Sequence, residues 1–449
     1  MNDFTLGYLG LSKASWRTPE IEALAQSALA SLKTLPATVI HGGGLATTEE
    51  EAIARCRDFT RRGVDLVVLH FATFPLGAMI PAAAQRLRVP IVLFANPEEP
   101  GPGGAWSQNS FCGANMAAYV LRNLGKPYHF AWGRADRAAE AVRPWVELRR
   151  CLAGLAETRL GWVGGRVPGF YTSSFDELKL RAAFGVAVES IDLLELVNLA
   201  RTLPEAEAAE GLAGVRAGAA GTREVGEADL RLAASLFQAF RRLAARYRLD
   251  GFAVRCWPEL SDLYGIAPCS VIGLLNDAGF VASCEGDVRG AVLMAILKRL
   301  GGATPFFVDL ISFDESANAG VVWHCGAAPP SLCRRFEETV LRLHGRVDGG
   351  DKKGVTADFS LKPGRVTLAQ LDETPSGYRM LIAPGTALDT EPFLRGNPLR
   401  IAFDGRVNTL IEAIMKRGLA HHYAVVHADL KDALQAVCEA KGIEPMTIG

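Results

Sequence analysis

The first hundred residues alternate between short apolar strand patterns and amphipathic helix patterns, and this alternation constrains the possible folds most strongly. Repeated strand–helix–strand units are typical of a parallel sheet covered by helices on both faces, a doubly wound α/β domain. The predicted strands are Phe4–Leu11, Ala37–Ile40, Val64–His70 and Val89–Ala95, and the predicted helices between them are Thr18–Leu35 and Thr47–Arg62.

A second run of the same kind begins near Leu160, and a different pattern replaces it after about Gly320. The last part has short strands and frequent turns, which indicate a small β-barrel or sandwich with a few helices packed on it. The sequence therefore predicts two doubly wound, Rossmann-like α/β domains, residues 1–155 and 156–319, followed by a C-terminal β-barrel-like domain, residues 320–449. The strands predicted in the second run are Leu160–Val163, Val186–Ile191, Gly251–Cys256, Val281–Cys284 and Phe306–Leu310.

The composition of this 449-residue chain argues against several classes of protein. A formal net charge of −1 gives no reason to expect a nucleic acid or a membrane surface as a partner. The nine cysteines form no CxxC motif, which indicates a reducing compartment and argues against a structural zinc cluster. Neither a signal peptide nor an apolar run of about 18 residues is visible, so we expect a cytoplasmic protein.

Two carboxylates, Glu285 and Asp309, lie 24 positions apart in one strand–helix–strand unit. Such a unit normally gives two parallel strands in one sheet. Both acids would then lie at carboxyl ends of neighbouring strands, where an open α/β sheet binds its ligand. Asp309 lies within a run that should be buried, and a buried aspartate needs a cation or hydrogen bonds. The pair therefore predicts a divalent metal site, proton transfer, or both.

Other candidates lie at the ends of further strand patterns. Arg255 and Trp257 lie at the end of the predicted strand that begins at Gly251 and are predicted to contact a substrate; the alternative is a salt bridge and a packed indole. His324 is a predicted substrate contact, and a position behind the ligands or in the core is favoured over direct ligation. His421 and His422 are adjacent on a strand near the C-terminus, so at most one of them faces a metal site.

At these residues the chain resembles the L-fucose isomerase and L-arabinose isomerase superfamily. The spacing of Glu285 and Asp309 is similar to that of the metal-binding acids in the fucose isomerase branch. The segment Leu419–Val425 is similar to one that supplies a histidine ligand, which places the ligand at His422, with His421 as the fallback. A looser likeness covers Trp106–Gly113, which resembles a first-domain loop that reaches the active site of a neighbouring subunit.

The resemblance implies an aldose–ketose isomerase that acts on an open-chain sugar through a cis-enediol intermediate. Glu285, Asp309 and His422 would hold Mn²⁺ or another divalent cation, and the two acids would share the acid–base catalysis. Which acid takes the carbon-bound proton stays open. The resemblance also implies a homo-oligomer, a trimer or hexamer, with active sites at subunit interfaces. The substrate contacts it implies in the first domain are Gln108, Asn109 and Ser110.

Two alternatives accompany this hypothesis. One is the same chemistry on an acidic sugar such as sulfoquinovose, whose anion needs an arginine; the candidates are Arg255 and Arg17, the latter next to Trp16 in a possible subunit contact. The other is a non-catalytic sugar-binding protein built from the first two α/β domains. A sugar-binding module of that kind needs no pair of metal-binding acids, so a metal titration distinguishes the two classes.

Overall fold

The computed structural model describes residues 4–98, 100, 102–344 and 354–449. These residues form two compact units, Met1–Arg150 and Cys151–Gly449. The three-domain division stays a prediction. No helix in the described part of the chain combines the length and the apolar character that crossing a membrane requires.

The first unit is the predicted doubly wound α/β arrangement, a parallel sheet with the strand order β2-β1-β3-β4-β5. Its helices begin where the sequence offers caps: Thr18 accepts from the amide of Ile21, and Thr48 forms a capping box with Glu51. The strands are β1 (Thr5–Leu11), β2 (Thr38–His41), β3 (Leu66–Phe71), β4 (Ile91–Ala95) and β5 (Tyr128–Trp132), and the helices are α1 (Pro19–Leu32), α2 (Glu49–Arg61), α3 (Met79–Ala84), α4 (Ser110–Asn123) and α5 (Ala138–Glu157), which contains the unit boundary.

The second unit opens with another parallel sheet, in the order β10-β9-β6-β7. Its strands are β6 (Arg159–Val163), β7 (Ala187–Ile191), β9 (Gly251–Val254) and β10 (Val281–Ser283), while β8 (Gly221–Thr222) belongs to a separate small sheet. The helices of this part are α6 (Glu177–Phe184), α7 (Leu193–Arg201), α8 (Glu205–Ala217), α9 (Glu227–Tyr247), α10 (Cys269–Asp277) and α11 (Val288–Gly301).

The chain then enters a seven-stranded sheet in the order β15-β18-β11-β12-β17-β16-β19. Because β15 also pairs with β16, six of its strands close into a ring, which corresponds to the predicted barrel-like part. The remaining elements are β11 (Phe306–Asp314), β12 (Ala319–Trp323), β13 (Val340–Arg342), β14 (Thr356–Asp358), β15 (Gly364–Thr374), β16 (Gly377–Ala387), β17 (Leu399–Phe403), α12 (Val407–Arg417), β18 (His422–Val426), α13 (Lys431–Lys441) and β19 (Glu444–Thr447).

The predicted parallel pairing of the strands that carry the two acids is wrong. Strand β11 runs antiparallel between β18 and β12, in a different sheet from β10. The reason is the intervening helix: α11 is buried at every position from Val288 to Leu297. A helix that is apolar all round is enclosed on several sides, and α11 contacts β9 and β10 as well as β15 and β18. It therefore leads the chain from one sheet into the next.

Candidate active site

Glu285 lies in a tight turn between β10 and α11. Its φ of 59° and that of Gly286, 69°, are both left-handed. A side chain at Gly286 would meet the carbonyl oxygen of Gly165 at 2.3 Å, so glycine is required there. A left-handed glutamate is uncommon, and such backbone outliers cluster at functional sites. The turn ends at Asp287, the N-cap of α11, which accepts from the amide of Gly290 at 2.9 Å.

Asp309 and His422 are direct partners in the antiparallel ladder between β11 and β18. Residues directly opposite each other in such a ladder project to the same face of the sheet. This register turns His422 towards Asp309 and gives the neighbouring His421 a different environment, where its Nδ1 lies 3.0 Å from the hydroxyl of Thr172.

The His422 imidazole connects three carboxylates. Its Nε2 lies 2.7 Å from Oε2 of Glu285 and 4.0 Å from Oδ1 of Asp309. Its Nδ1 lies 3.0 Å from Oδ2 of Asp287. The other oxygen of Glu285 accepts from the indole N–H of Trp257 at 3.0 Å. The structure therefore brings together the three residues predicted to ligate a metal, and it adds Asp287 behind the histidine.

Burial and hydrogen bonding set the charges of this group. Burial alone would lower the pKa of His422, but the hydrogen bonds to Asp287 and Glu285 outweigh burial and raise it to about 10. Burial alone would raise the pKa of Glu285, but the hydrogen bond with His422 and the charges of the histidines hold it well below its ordinary value. Glu285 is thus an anion at neutral pH, and a proton on His422 compensates its charge.

These residues fit a divalent cation. Oδ1 of Asp309 is buried and has no hydrogen-bond partner among the described residues, and a bound cation would satisfy such an oxygen. Two ligand atoms on a cation with bonds of about 2.1 Å lie at most about 4.2 Å apart. The distances from Nε2 of His422 to the oxygens of Glu285 and Asp309, 2.7 and 4.0 Å, are both within this limit. A metal-binding histidine usually donates its other ring N–H to a carboxylate, and the Asp287 carboxylate is in that position behind His422. His421 also lies within 4.8 Å of Glu285 and His422 by its ligand atom, so the fallback ligand stays open.

A cavity opens in front of this group, and Phe170, Trp257 and Trp323 form part of its wall. Trp257 and His324, two predicted substrate contacts, line it together with Glu285 and Asp309. Nδ1 of His324 accepts from the amide of Cys325 at 3.1 Å, so in the neutral imidazole Nε2 carries the proton. That Nε2 is buried and makes no hydrogen bond within the described ranges. The remaining lining residues include Cys256, Ser261, Cys269, Cys325, His344 and His421.

Arg255 lies outside this cavity. Its guanidinium pairs with Glu259 and donates to the carbonyl of Gly164 at 3.4 Å. It lines a different cavity, together with Asp192 and Arg201. Because Glu259 holds the side chain there, this placement corrects the prediction that Arg255 contacts the substrate next to Glu285.

The predicted substrate contacts of the first unit make contacts within that unit. Arg17 pairs with Glu22, and the Trp16 ring meets the Trp106 ring edge-on at 5.5 Å. Gln108 is buried and accepts from the side chain of Asn96. The Asn109 amide donates to Glu98, and the Ser110 hydroxyl donates to the carbonyl of Phe71. Their role at a neighbouring subunit's site stays a prediction.

The sequence reasoning missed the part that Asp287 and Phe170 play at the site. Asp287 is not among the predicted site residues, and nothing in the sequence marks its second oxygen as the partner of His422. Phe170 lies in a loop without a motif, and its ring packs 5.5 Å from Trp257 and 5.6 Å from His421. Only the folded chain brings these rings together.

Comparison with known proteins relates this chain to named relatives. The family model described as fucose/sulfoquinovose isomerase, N-terminal domain, matches residues 12–156. A sulfoquinovose isomerase of Alkalicoccus urumqiensis is 33% identical over 382 residues, 83% of this chain and 84% of the relative. Another, of Priestia aryabhattai, is 30% identical over 437 residues, 97% of each chain. The chain belongs to the fucose/sulfoquinovose isomerase family.

This membership confirms the resemblance stated from the acids and the C-terminal histidine. A protein of the fucose/sulfoquinovose isomerase family is a sugar isomerase, so the chain is an enzyme that interconverts an aldose and a ketose. Among solved structures, a periplasmic solute binding protein from Actinobacillus succinogenes with bound D-allose matches 66% of this chain and 92% of its own, at 11% identity. Its TM-score of 0.19 is too low to support any argument.

Proposed function

We propose that the chain is a cation-dependent isomerase that converts sulfoquinovose into its 2-ketose through a cis-enediolate. One observation carries the cation dependence: Glu285, Asp309 and His422 converge, and a buried oxygen of Asp309 has no hydrogen-bond partner in the described structure. The relatives that extend over nearly the whole chain are named for sulfoquinovose, which favours this acidic sugar over L-fucose or L-arabinose.

Glu285, Asp309 and His422 would hold the cation, Mn²⁺ or a similar ion, because carboxylates and an imidazole suit such ions. When bound, the cation stabilises the negative charge that develops on the sugar's O1 and O2. His422 is kept in one orientation by Asp287 on its Nδ1, and it must lose its Nε2 proton before it can ligate.

The protein's own groups would perform the proton transfers. A proton leaves C2 of the aldose and returns at C1, while the O2 hydroxyl proton moves to O1. Glu285 is ionised and held by Trp257, and Asp309 lines the same cavity, so these two carboxylates share the acid–base work. The Nε2–H of His324 is available to donate to a sugar oxygen, and the indole of Trp257 forms part of the wall.

The sulfonate of the sugar needs a positive partner. Glu259 already holds Arg255, so we keep Arg17 as the candidate, acting with Trp16, Gln108, Asn109 and Ser110 from a neighbouring subunit. Its side chain is 44% exposed despite its pair with Glu22. This part of the proposal requires a homo-oligomer, a trimer or hexamer. We also retain the predicted cytoplasmic location.

The test is a panel assay of ketose formation from sulfoquinovose, L-fucose and L-arabinose, with chelator-treated enzyme before and after addition of Mn²⁺. We expect turnover of sulfoquinovose that depends on Mn²⁺ and falls by about 10²–10⁴-fold in Glu285→Gln, the usual contribution of an acid–base group. Glu189→Gln is the matched control. Glu189 pairs with Arg159 at 3.2 Å, and neither residue lines the cavity.

Each part of the proposal can fail separately. Conversion of L-fucose without conversion of sulfoquinovose would remove the substrate assignment. Full activity after chelation, with no metal left by elemental analysis, would remove the cation. Near-normal turnover by Glu285→Gln would remove its acid–base role.

A further inference from the structure

The cavity has a second cluster of ligating side chains, made of two thiols and an imidazole. Cys269 is the first residue of α10, Cys325 follows β12, and His344 follows β13. One ligand atom from each residue lies within 4.8 Å of the other two. The three residues line the cavity of Glu285 and Asp309, but they share no residue with the cation group described above.

The spacing of the two sulfur atoms matches that of a metal thiolate site. With Zn–S bonds of about 2.3 Å, two sulfurs on a tetrahedral ion lie about 3.8 Å apart. The Sγ atoms of Cys269 and Cys325 are 3.7 Å apart. The chain offers an internal comparison, because Cys256 and Cys284 approach to 3.2 Å, which is shorter than that tetrahedral edge. The first pair therefore has the sulfur–sulfur separation that a tetrahedral ion requires.

We propose that Cys269, Cys325 and His344 form a site for a thiophilic divalent cation such as Zn²⁺. Binding releases the two thiol protons, forms two S–Zn bonds and one N–Zn bond, and leaves the fourth tetrahedral position to a water molecule in the cavity. Thiolate ligands select zinc-like ions, whereas the carboxylates at Glu285 and Asp309 suit Mn²⁺. One cavity would thus hold two cation sites of different chemical preference.

An ion at this second site would inhibit the isomerase. Cys325 is in contact with His324, whose Nδ1 lies 3.4 Å from the Cys325 sulfur. The ion and its two thiolates carry no net charge, but the bound ion changes the contact between that sulfur and the imidazole that faces the sugar, and its water occupies part of the cavity. This consequence rests on the proposed substrate contact of His324, whereas binding of the ion does not depend on it.

Cobalt spectroscopy on the full-length, metal-stripped protein tests the binding. Co²⁺ replaces Zn²⁺ in thiolate sites and gives an ultraviolet sulfur-to-cobalt charge-transfer band, which the carboxylate–histidine group cannot give. We expect this band to saturate at one equivalent per chain in the wild type and to lose most of its intensity in Cys269→Ser and Cys325→Ser. In Cys256→Ser, the control from the closer thiol pair, the band should persist, and circular dichroism verifies that each variant is folded.

Absence of the band in wild type, or its persistence in both folded serine variants, would overturn the site. Inhibition is measured separately, by titrating Zn²⁺ into the Mn²⁺-loaded enzyme with its best aldose. We expect Cys269→Ser to raise the half-inhibitory Zn²⁺ concentration at least tenfold relative to Cys256→Ser. Equal inhibition of the two variants would show that Zn²⁺ acts elsewhere, and it would leave the Mn²⁺ dependence of the proposed function untouched.

Discussion

At the scale of single residues, Asp287 serves two partners with its two carboxylate oxygens. Oδ1 caps α11 through the amide of Gly290, and Oδ2 lies 3.0 Å from Nδ1 of His422. The first contact stabilises the helix, and the second fixes which imidazole nitrogen faces Glu285. One side chain therefore connects the start of a helix to the orientation of a metal ligand.

Asp287→Asn should separate these two roles. Asparagine is as good an N-cap as aspartate, so thermal stability should change little, but its amide is a poorer partner for His422. We expect the affinity for Mn²⁺, measured by isothermal titration calorimetry, to fall about 10–100-fold. Asp192→Asn is the matched control, because Asp192 caps α7 through the amide of Leu194 at 2.8 Å. An unchanged dissociation constant in Asp287→Asn would contradict the orienting role.

His70 in the first unit is a buried histidine with a different task. Its ring lies between the hydroxyl of Tyr8, 2.8 Å from Nδ1, and the side-chain oxygen of Asn96, 2.9 Å from Nε2. Burial lowers the pKa of His70 to about 4, against about 6.5 in an unfolded chain. Between pH 4 and pH 6.5 the imidazole of His70 therefore binds a proton in the unfolded chain but not in the folded chain.

This difference predicts acid sensitivity. The neutral His70 contributes about 3 kcal/mol to the free energy of unfolding above pH 6.5. This contribution is lost as the pH falls towards 4. Urea unfolding between pH 7 and pH 4 should therefore show a steeper loss of stability in wild type than in His70→Gln, which has no proton to bind. Parallel curves for the two proteins would mean that His70 is not held neutral.

At the scale of elements, α11 determines how the acids meet. It is enclosed by two sheets, and Gly290 permits close approach on one side: a Cβ at this position would lie 2.2 Å from the Phe307 ring. That ring in turn packs 4.7 Å from the His422 ring. The helix, β11 and the histidine ligand are therefore in one packed stack.

Gly290→Ala should destabilise the protein by about 1–3 kcal/mol, the usual cost of overpacking, although alanine is intrinsically the better helix former. Gly214→Ala in α8 should stabilise it by about 0.5–1 kcal/mol, because nothing lies within 4 Å of a Cβ there. Opposite shifts in the thermal midpoint are the expected result. A stabilising Gly290→Ala would show that Phe307 moves aside at no cost.

The limits of sequence reasoning follow from the same elements. Local signals predicted most strands and the first two helices, because the patterns that mark an element lie within a few residues. The pairing of β11 was missed, since its neighbours β12 and β18 are chosen by long-range packing. The unbroken apolar run of α11 was the one sequence feature that indicated a helix enclosed on several sides. The convergence of Glu285 with Asp309 was expected, but it arises across two sheets. The choice between His421 and His422 depends on a register that no local pattern shows.

At the scale of the whole molecule, the three residues that fit the cation come from distant parts of the second unit. Glu285 follows β10 of the parallel sheet, whereas Asp309 and His422 belong to the ring of antiparallel strands. A cation held by all three would therefore connect two sheets. Binding to the native state alone adds stability in proportion to the logarithm of the free cation concentration.

Mn²⁺ at about 100 times its dissociation constant should stabilise the protein by about 2.7 kcal/mol. Hydrogen–deuterium exchange should slow in peptides that contain Glu285, Asp309 and His422. Asp309→Asn, which keeps the shape of the side chain, should lose most of both effects. Equal stabilisation of wild type and this variant would place the cation elsewhere.

The most direct measurement is an anomalous diffraction map at the manganese edge, from crystals of the wild-type protein grown with Mn²⁺. The account predicts one strong peak within about 2.0–2.6 Å of a ligand atom of each of Glu285, Asp309 and His422. A peak at the cysteine cluster instead, or no peak between these three side chains in a map that shows manganese elsewhere, would contradict it.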